Sequence, residues 1–158
     1  MPSTFDSAVY SAFVFRQRPE SIPADMRPIW RIGLLLLMLS VSSRGARSSF
    51  GRLQLLNWSL LHDEGRDALL SVLDGARQPN AIMVRIEPSL NRAVDFATAE
   101  GLVRTVGGSR IELTEVGEAE AARILAESSL YVKEREYLSL LGKRVTETLV
   151  SQIFSGVS

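Results

Sequence analysis

The sequence has no cysteine, a single histidine and no excess of either charge. Without cysteine there is no disulfide, no thiol nucleophile and no thiolate metal ligand, which is typical of the reducing cytoplasm. The lone His62 excludes sites built from several histidines. The 18 basic side chains balance 18 acidic ones, so no global positive field attracts nucleic acid. We therefore expect no metal and no cofactor.

The sequence also lacks an apolar run long enough to cross a membrane. The longest run, Ile32–Leu39 extended to Val41, is interrupted by Gly33 and Ser40. A membrane-spanning helix needs about 20 apolar residues. We therefore expect a soluble, cytoplasmic protein without membrane contact.

No arrangement typical of catalysis is present. His62 and Asp63 are adjacent in a predicted turn, where neighbouring side chains rarely converge, and no G-x-S-x-G motif accompanies them. Acidic pairs such as Glu118 and Glu120 lie in charged helices, where solvation explains them. The sequence therefore predicts no catalytic residue and a protein that is not an enzyme.

The clearest pattern in the sequence is a helix that leads into a hairpin. Ser89 predicts the N-cap of this helix and Gly101 predicts its end, with an apolar face between them. Two other helices are predicted to begin at Pro28, which suits a first turn, and after Ser49, a second N-cap. These signals predict a mainly helical chain.

Two adjacent glycines mark the hairpin. Gly107 and Gly108 tolerate positive φ and predict a two-residue turn between the strands Leu102–Val106 and Ser109–Leu113. Thr114 predicts the cap of the next helix. Helix, hairpin and helix in this order are typical of the C-terminal half of a winged helix-turn-helix domain.

The predicted fold is mainly α with a small antiparallel β-wing, a winged helix-turn-helix with a C-terminal helical extension. The strand-like composition of Ile82–Ile86 predicts a third strand beside the wing. Three regions follow: an aromatic-rich N-terminal arm at residues 1–26, a winged-helix domain at 27–127 and a C-terminal helical docking segment at 128–158.

The helix after Pro28 is apolar on every side from Ile29 to Leu39. Such a helix must be buried all round, which is hard to achieve within one small domain. We infer that one side packs against the winged helix and another against a partner subunit; the alternative is a central helix covered wholly by this chain. The predicted partner-binding residues, including those of the C-terminal helices, are Trp30, Leu34, Leu37, Leu138, Leu141, Leu149 and Phe154.

Five arginines are candidates for contact with nucleic-acid phosphates, the alternatives being a solvated surface or contacts to another protein. Two lie in a predicted flexible loop, Ser42–Ser49. One lies on the helix before the wing, where Asp95 occupies the middle of the exposed face and disfavours groove reading. With a two-residue turn, Arg104 lies on the inner face of the wing near its tip and Arg110 on the outer face. The candidates are Arg44, Arg47, Arg92, Arg104 and Arg110.

Four segments carry a resemblance to a known family: Arg31–Leu37, Leu53–Leu60, Ile86–Val94 and Ile111–Thr114. Together they resemble the middle component of three-component ABC ATPase anti-phage systems of the Lamassu-like type. The resemblance spans about Arg27 to Phe154, and its most distinctive parts are the Leu-Asn-Trp and Pro-Ser-Leu-Asn-Arg sequences.

The resemblance implies an adaptor subunit that links an SMC-like ABC ATPase to an effector such as a nuclease. The candidate arginines leave three alternatives open: sequence-specific DNA binding, non-specific DNA contact inside a larger complex, or contacts to proteins alone. The resemblance supplies no catalytic residue to transfer to this chain. The alternative function is a homodimeric winged-helix DNA-binding transcription regulator, whose C-terminal helices form the dimer seam.

Overall fold

The structure is a computed structural model that describes residues 27–155 of the 158-residue chain. The predicted N-terminal arm lies outside the described residues. The described part is mainly helical, with a small three-stranded sheet and with short 3-10 turns at Arg44–Ala46 and Pro79–Ala81. The elements are α1 (Pro28–Val41), β1 (Arg47–Ser49), α2 (Phe50–Leu61), α3 (Asp63–Leu73), α4 (Pro88–Ala99), β2 (Val103–Val106), β3 (Arg110–Leu113), α5 (Glu115–Ala126), α6 (Val132–Leu141) and α7 (Glu147–Ser155).

Local capping signals fix several helix ends. The Ser49 side chain accepts a hydrogen bond from the backbone N–H of Arg52 at the start of α2. Thr114 accepts one from the N–H of Gly117 at the start of α5. Gly101 follows α4 with a φ of 76°, a conformation that glycine adopts without steric cost. All three predictions are confirmed.

Two predictions of local structure are wrong. Ser89 is not an N-cap, because Pro88 already occupies the first position of α4, where its fixed φ suits a helix. Ile82–Ile86 forms no strand: alternate side chains of this segment enter the core, but it joins no ladder. The third strand is instead Arg47–Ser49, in the predicted flexible loop, which pairs with β3.

The three strands form one antiparallel sheet in the order β1-β3-β2. Val106 pairs with Arg110, so the hairpin turn has three residues, Gly107–Ser109. The predicted two-residue turn is therefore wrong. Successive side chains of a strand point to opposite faces of the sheet, so one extra turn residue changes which residues of the two strands share a face. Arg104 pairs with Glu112 and lies with it on the outer face, not on the inner one.

The sheet and four helices surround α1. Its residues Leu34 to Leu39 are each at most 2% exposed, and α1 packs against α2, α4, α5, α6 and β3. The prediction that Leu34 and Leu37 face a partner is therefore wrong. The alternative, a central helix covered by its own chain, describes α1, because the C-terminal helices supply the apolar cover that a smaller domain would lack.

The C-terminal segment folds back onto the rest of the chain. Leu138 and Leu141 of α6 are fully buried in the core that contains α1, so the prediction that they dock a partner is also wrong. Trp30, Leu149 and Phe154 are only partly buried against this core, and their role in partner binding stays a prediction. Residues 128–155 thus share one core with the residues before them.

Candidate functional site

The outer face of the sheet carries a row of three charged side chains, one from each strand. Arg47 on β1 and Arg104 on β2 both lie opposite Glu112 on β3. The Glu112 carboxylate is 3.4 Å from Arg47 Nη2 and 3.2 Å from Arg104 Nε. Because two guanidinium groups share one carboxylate, the row keeps one net positive charge. Both arginine side chains are about half exposed.

The next row of the sheet is joined to α7. Arg110 Nη1 lies 3.6 Å from a carboxylate oxygen of Glu147. The same carboxylate accepts hydrogen bonds from Ser49 N at 3.2 Å and from Ser49 Oγ at 2.6 Å. Glu147 is in the first turn of α7, where the helix dipole stabilises a negative charge. The start of α7 is therefore held to the sheet by charge and hydrogen bonding.

A cavity of about 320 Å³, which we call the basic cavity, opens between the sheet, the loop after α1 and the start of α7. Glu147 is the one carboxylate among its lining residues, against five cationic side chains. The lining residues are Ser42, Arg44, Arg47, Arg52, Arg110, Lys143, Val145, Thr146 and Glu147. The excess of cations makes this a favourable place for a phosphate oxygen.

Arg52 forms the floor of the basic cavity and is 5% exposed. Its Nε donates to the Val145 carbonyl at 2.6 Å, its Nη1 donates to Ser43 Oγ at 2.7 Å, and its Nη2 donates to the Ser42 carbonyl. Burial lowers the pKa of Arg52, and the nearby Glu147 opposes that shift. All three nitrogens have partners, so Arg52 joins α2 to the loop after α1 and to the segment before α7.

Lys143 and Arg44 stand at the edge of the basic cavity. Lys143 Nζ lies 3.3 Å from the carbonyl oxygens of both Val41 and Ser43, which places its charge beside the C-terminus of α1. Arg44 is exposed in the 3-10 turn and has no ion pair with any other described residue. The positive charges of Lys143 and Arg44 are therefore available for interaction with an anionic ligand.

We call the exposed cationic surface around the cavity and the sheet the basic face. It consists of Arg44, Arg47, Arg104, Arg110 and Lys143. Its five cations meet two carboxylates, Glu112 and Glu147, so three net positive charges remain. The basic face thus carries an excess of positive charge, although the chain as a whole is neutral.

The structure brings together four of the five arginines that the sequence singled out. Arg44, Arg47 and Arg110 line the basic cavity, and Arg104 lies on the same face of the sheet. Arg92 is separate, on α4 at the other end of α1. No sequence signal pointed to Lys143, which joins the site although it is about 100 residues from its partners at the end of α1.

The single histidine, His62, takes part in a contact between two helices. His62 Nε2 lies 2.8 Å from the carboxylate of Glu87, which links the end of α2 to the start of α4. No group of three or more metal-ligating side chains is found among residues 27–155. None of the helices in this range has the length and apolar character that crossing a bilayer requires.

Comparison of the chain with protein-family models, with curated proteins and with solved structures finds no match. The functional argument therefore depends on the geometry of the basic face and on the residue patterns of the sequence.

Proposed function

We propose that this chain is a non-enzymatic, winged-helix-like module that binds nucleic-acid phosphates, without reading their sequence, through the basic face. The observation that carries the proposal is the basic cavity, where cations from three separate parts of the chain surround a single carboxylate. Arginine and lysine side chains in this arrangement suit phosphate oxygens, which supply most of the affinity of non-specific binding.

The winged-helix assignment is supported by the order of the elements. A helix precedes a hairpin, and the hairpin strand β3 pairs with a strand at the start of the domain. The helix before the hairpin, α4, is a poor reader of base edges, because its exposed face presents Arg92 together with Asp95 and Phe96. Base-specific contacts need several donors and acceptors on that face. Contact through the basic face is therefore favoured over insertion of α4 into a groove.

The wider role that we propose is that of an adaptor in an ABC ATPase–effector anti-phage complex, and its support is the resemblance of the four sequence segments. The partner surface in this proposal is not the stretch Leu34–Leu39 of α1, which is buried. It lies among exposed apolar side chains, of which Met83 and Leu140 are the most exposed, at 78% and 58%. Co-expression with an SMC-like ATPase tests this part, since a stable complex should survive gel filtration.

A homodimeric transcription regulator is the second candidate. The burial of α1 by its own chain favours it, because α1 no longer requires a different partner subunit. A regulator binds one sequence far more tightly than others. Equal affinity for unrelated duplexes in a mobility-shift assay, with a monomeric mass in solution, would exclude it.

The phosphate proposal is tested with a triple variant of the basic face. Arg44→Gln, Arg47→Gln and Arg110→Gln together should weaken binding to a labelled duplex of arbitrary sequence by at least about tenfold at low salt. The salt dependence should also fall, by about 0.9 in the log–log slope for each lost phosphate contact. Fluorescence anisotropy at several salt concentrations measures both.

The matched control removes three arginines elsewhere. Arg77, Arg85 and Arg123 are exposed and do not line the basic cavity. Their replacement by glutamine changes the net charge equally, so a loss of affinity equal to that of the triple variant would contradict the proposal. Circular dichroism of both variants checks that they fold.

A further inference from the structure

A second cavity lies at the opposite end of α1 from the basic cavity. We call it the α1–α4 cavity. It has a volume of about 130 Å³ and is lined by Pro28, Arg31, Ser89, Arg92, Ala93 and Phe96. At 1.5 Å per residue the 14 residues of α1 separate the two cavities by about 20 Å. Its described lining holds two arginines and no acidic residue.

Two polar atoms of this lining have no partner among the described residues. Arg31 Nη1 and Ser89 Oγ are both shielded from solvent and form no hydrogen bond with residues 27–155. Buried polar groups are nearly always hydrogen-bonded, and leaving one unpaired costs free energy. An unpaired guanidinium N–H and an unpaired hydroxyl on the lining of one cavity suit an oxyanion, which accepts hydrogen bonds from such donors.

The position of α4 adds to this preference. Ser89 lies in the first turn of α4, at the positive end of the helix dipole. Helix N-termini stabilise phosphate and carboxylate groups through this dipole. The two guanidinium groups and the hydroxyl therefore act together with the helix, and none of them is opposed by a carboxylate in the described lining.

One wall of the cavity is aromatic. Phe96 is 52% exposed, and it lies one turn of α4 after Arg92. Residues four apart on a helix are neighbours on its surface, so the ring and the guanidinium face the same space. Half-exposed aromatic rings stack favourably on nucleobases. A ligand that combines a phosphate with a planar ring uses both parts of the cavity.

We propose that the α1–α4 cavity binds the phosphate of a phosphate monoester, with an attached nucleobase on Phe96. The phosphate accepts from Arg31, Arg92 and Ser89. The monoester has two sources, a free nucleoside monophosphate or the 5′-phosphate end of a nucleic acid. The site is independent of the basic face, because its residues and its position are different.

The test is calorimetric titration of the full chain with a nucleoside monophosphate, the corresponding nucleoside and inorganic phosphate. We expect the monophosphate to bind most tightly, phosphate more weakly and the nucleoside not measurably. Arg31→Gln and Arg92→Gln should each weaken monophosphate binding by about tenfold or more. Phe96→Ala should weaken monophosphate binding but leave phosphate binding unchanged. Arg77→Gln, an exposed arginine outside the cavity, is the control.

Two results would overturn the proposal. One is the absence of binding by either phosphate compound at roughly millimolar concentration. The other is binding that neither arginine variant weakens. Because Arg31 is partly buried, each variant is also melted without ligand. A loss of affinity supports the proposal only in a variant whose melting temperature is unchanged. If Arg31→Gln unfolds the protein, Arg92→Gln provides the test, because Arg92 is exposed.

A pair of oligonucleotides identifies the source. If a 5′-phosphorylated single strand competes with the monophosphate and its 5′-hydroxyl form does not, the site recognises nucleic-acid ends. If neither competes, the ligand is the free nucleotide. The triple variant of the basic face should bind the monophosphate with unchanged affinity. The duplex experiments therefore test the basic face alone, and the monophosphate titration tests the α1–α4 cavity alone. Failure of one proposal can be distinguished from failure of the other.

Discussion

The two cavities at the ends of α1 contain arginines in opposite states of pairing. In the basic cavity, all three guanidinium nitrogens of Arg52 donate to oxygens of the chain. In the α1–α4 cavity, Arg31 Nη1 and Ser89 Oγ have no partner in the part of the chain that the structure describes. The comparison separates two uses of one residue type: Arg52 holds distant segments together, whereas Arg31 keeps a guanidinium N–H that no residue in the range 27–155 uses.

Arg52→Met should have the largest effect on stability, and it tests most directly whether Arg52 and Arg31 differ in their roles. Removing the guanidinium takes the donor away from the carbonyl oxygens of Val145 and Ser42 and from Ser43 Oγ in a buried position, so the free energy of unfolding should fall by about 3 kcal/mol or more. Urea denaturation measures it. Arg31→Met is the matched control and should change stability by less than about 1 kcal/mol. Equal losses in the two variants would mean that both arginines are structural.

Gly33→Ala tests how tightly α1 is enclosed near the α1–α4 cavity. A Cβ atom on Gly33 would lie 2.1 Å from Tyr131 Oη, so α1 or the tyrosine must move. Overpacking of this kind costs about 1–3 kcal/mol. The control is Gly51→Ala in α2. A Cβ atom on Gly51 would lie 3.5 Å from its nearest neighbour, a methyl carbon of Val150, which is an ordinary contact distance. There the gain in helix propensity, about 1 kcal/mol, should make thermal unfolding occur at a higher temperature. A stable Gly33→Ala protein would show that α1 is less confined than described.

Glu147→Gln makes the basic cavity more like the α1–α4 cavity, since it removes the one carboxylate from the lining. Stability should fall by about 1 kcal/mol, because the hydrogen bonds from Ser49 lose their charged acceptor. Affinity for a duplex should rise and its salt dependence should become steeper, because an additional cation is free to pair with phosphate. Weaker binding in anisotropy measurements would contradict the assignment of the basic face.

Tyr131→Phe should have the smallest effect at neutral pH and a clear one at alkaline pH. Burial, and to a lesser extent Glu134, raises the pKa of Tyr131 well above its ordinary value of 10.0. The folded protein therefore retains a proton that the unfolded chain releases, and stability falls as the pH rises above about 10. The variant loses the hydrogen bond to the Trp30 carbonyl, about 1 kcal/mol at pH 7. Its stability should decline less between pH 9 and pH 12, roughly the range over which tyrosines titrate. Parallel declines in urea denaturation would refute this.

Local signals allowed much of the fold to be predicted. The caps Ser49 and Thr114, the positive φ at Gly101 and the paired glycines of the hairpin each act within a few residues of their position. Such signals do not depend on the rest of the chain, so they can be recognised without knowledge of the tertiary structure.

The N-cap expected at Ser89 and the two-residue hairpin turn are local errors, but the errors that changed the sheet and the site concern contacts between distant segments. The apolar side chains of α1 indicated complete burial, but they did not show whether this chain or a partner covers them. The strand at Arg47–Ser49 has little strand composition of its own and forms because it pairs with β3, more than sixty residues later. In the same way, four candidate arginines were recognised from the sequence. Lys143 and Glu147, which complete the lining, come from the loop between the last two described helices and from the start of α7.

The link between Ser49 and Glu147 spans 98 positions of the chain. Closing a loop of this length early is entropically unfavourable, so the contact is expected to form late in folding. During synthesis the cavity cannot be completed until α7 has left the ribosome. A nascent chain that ends before α7 would carry most of the basic side chains but would not hold them in place, and the affinity for nucleic acid that we propose for the basic face would be acquired only with α7.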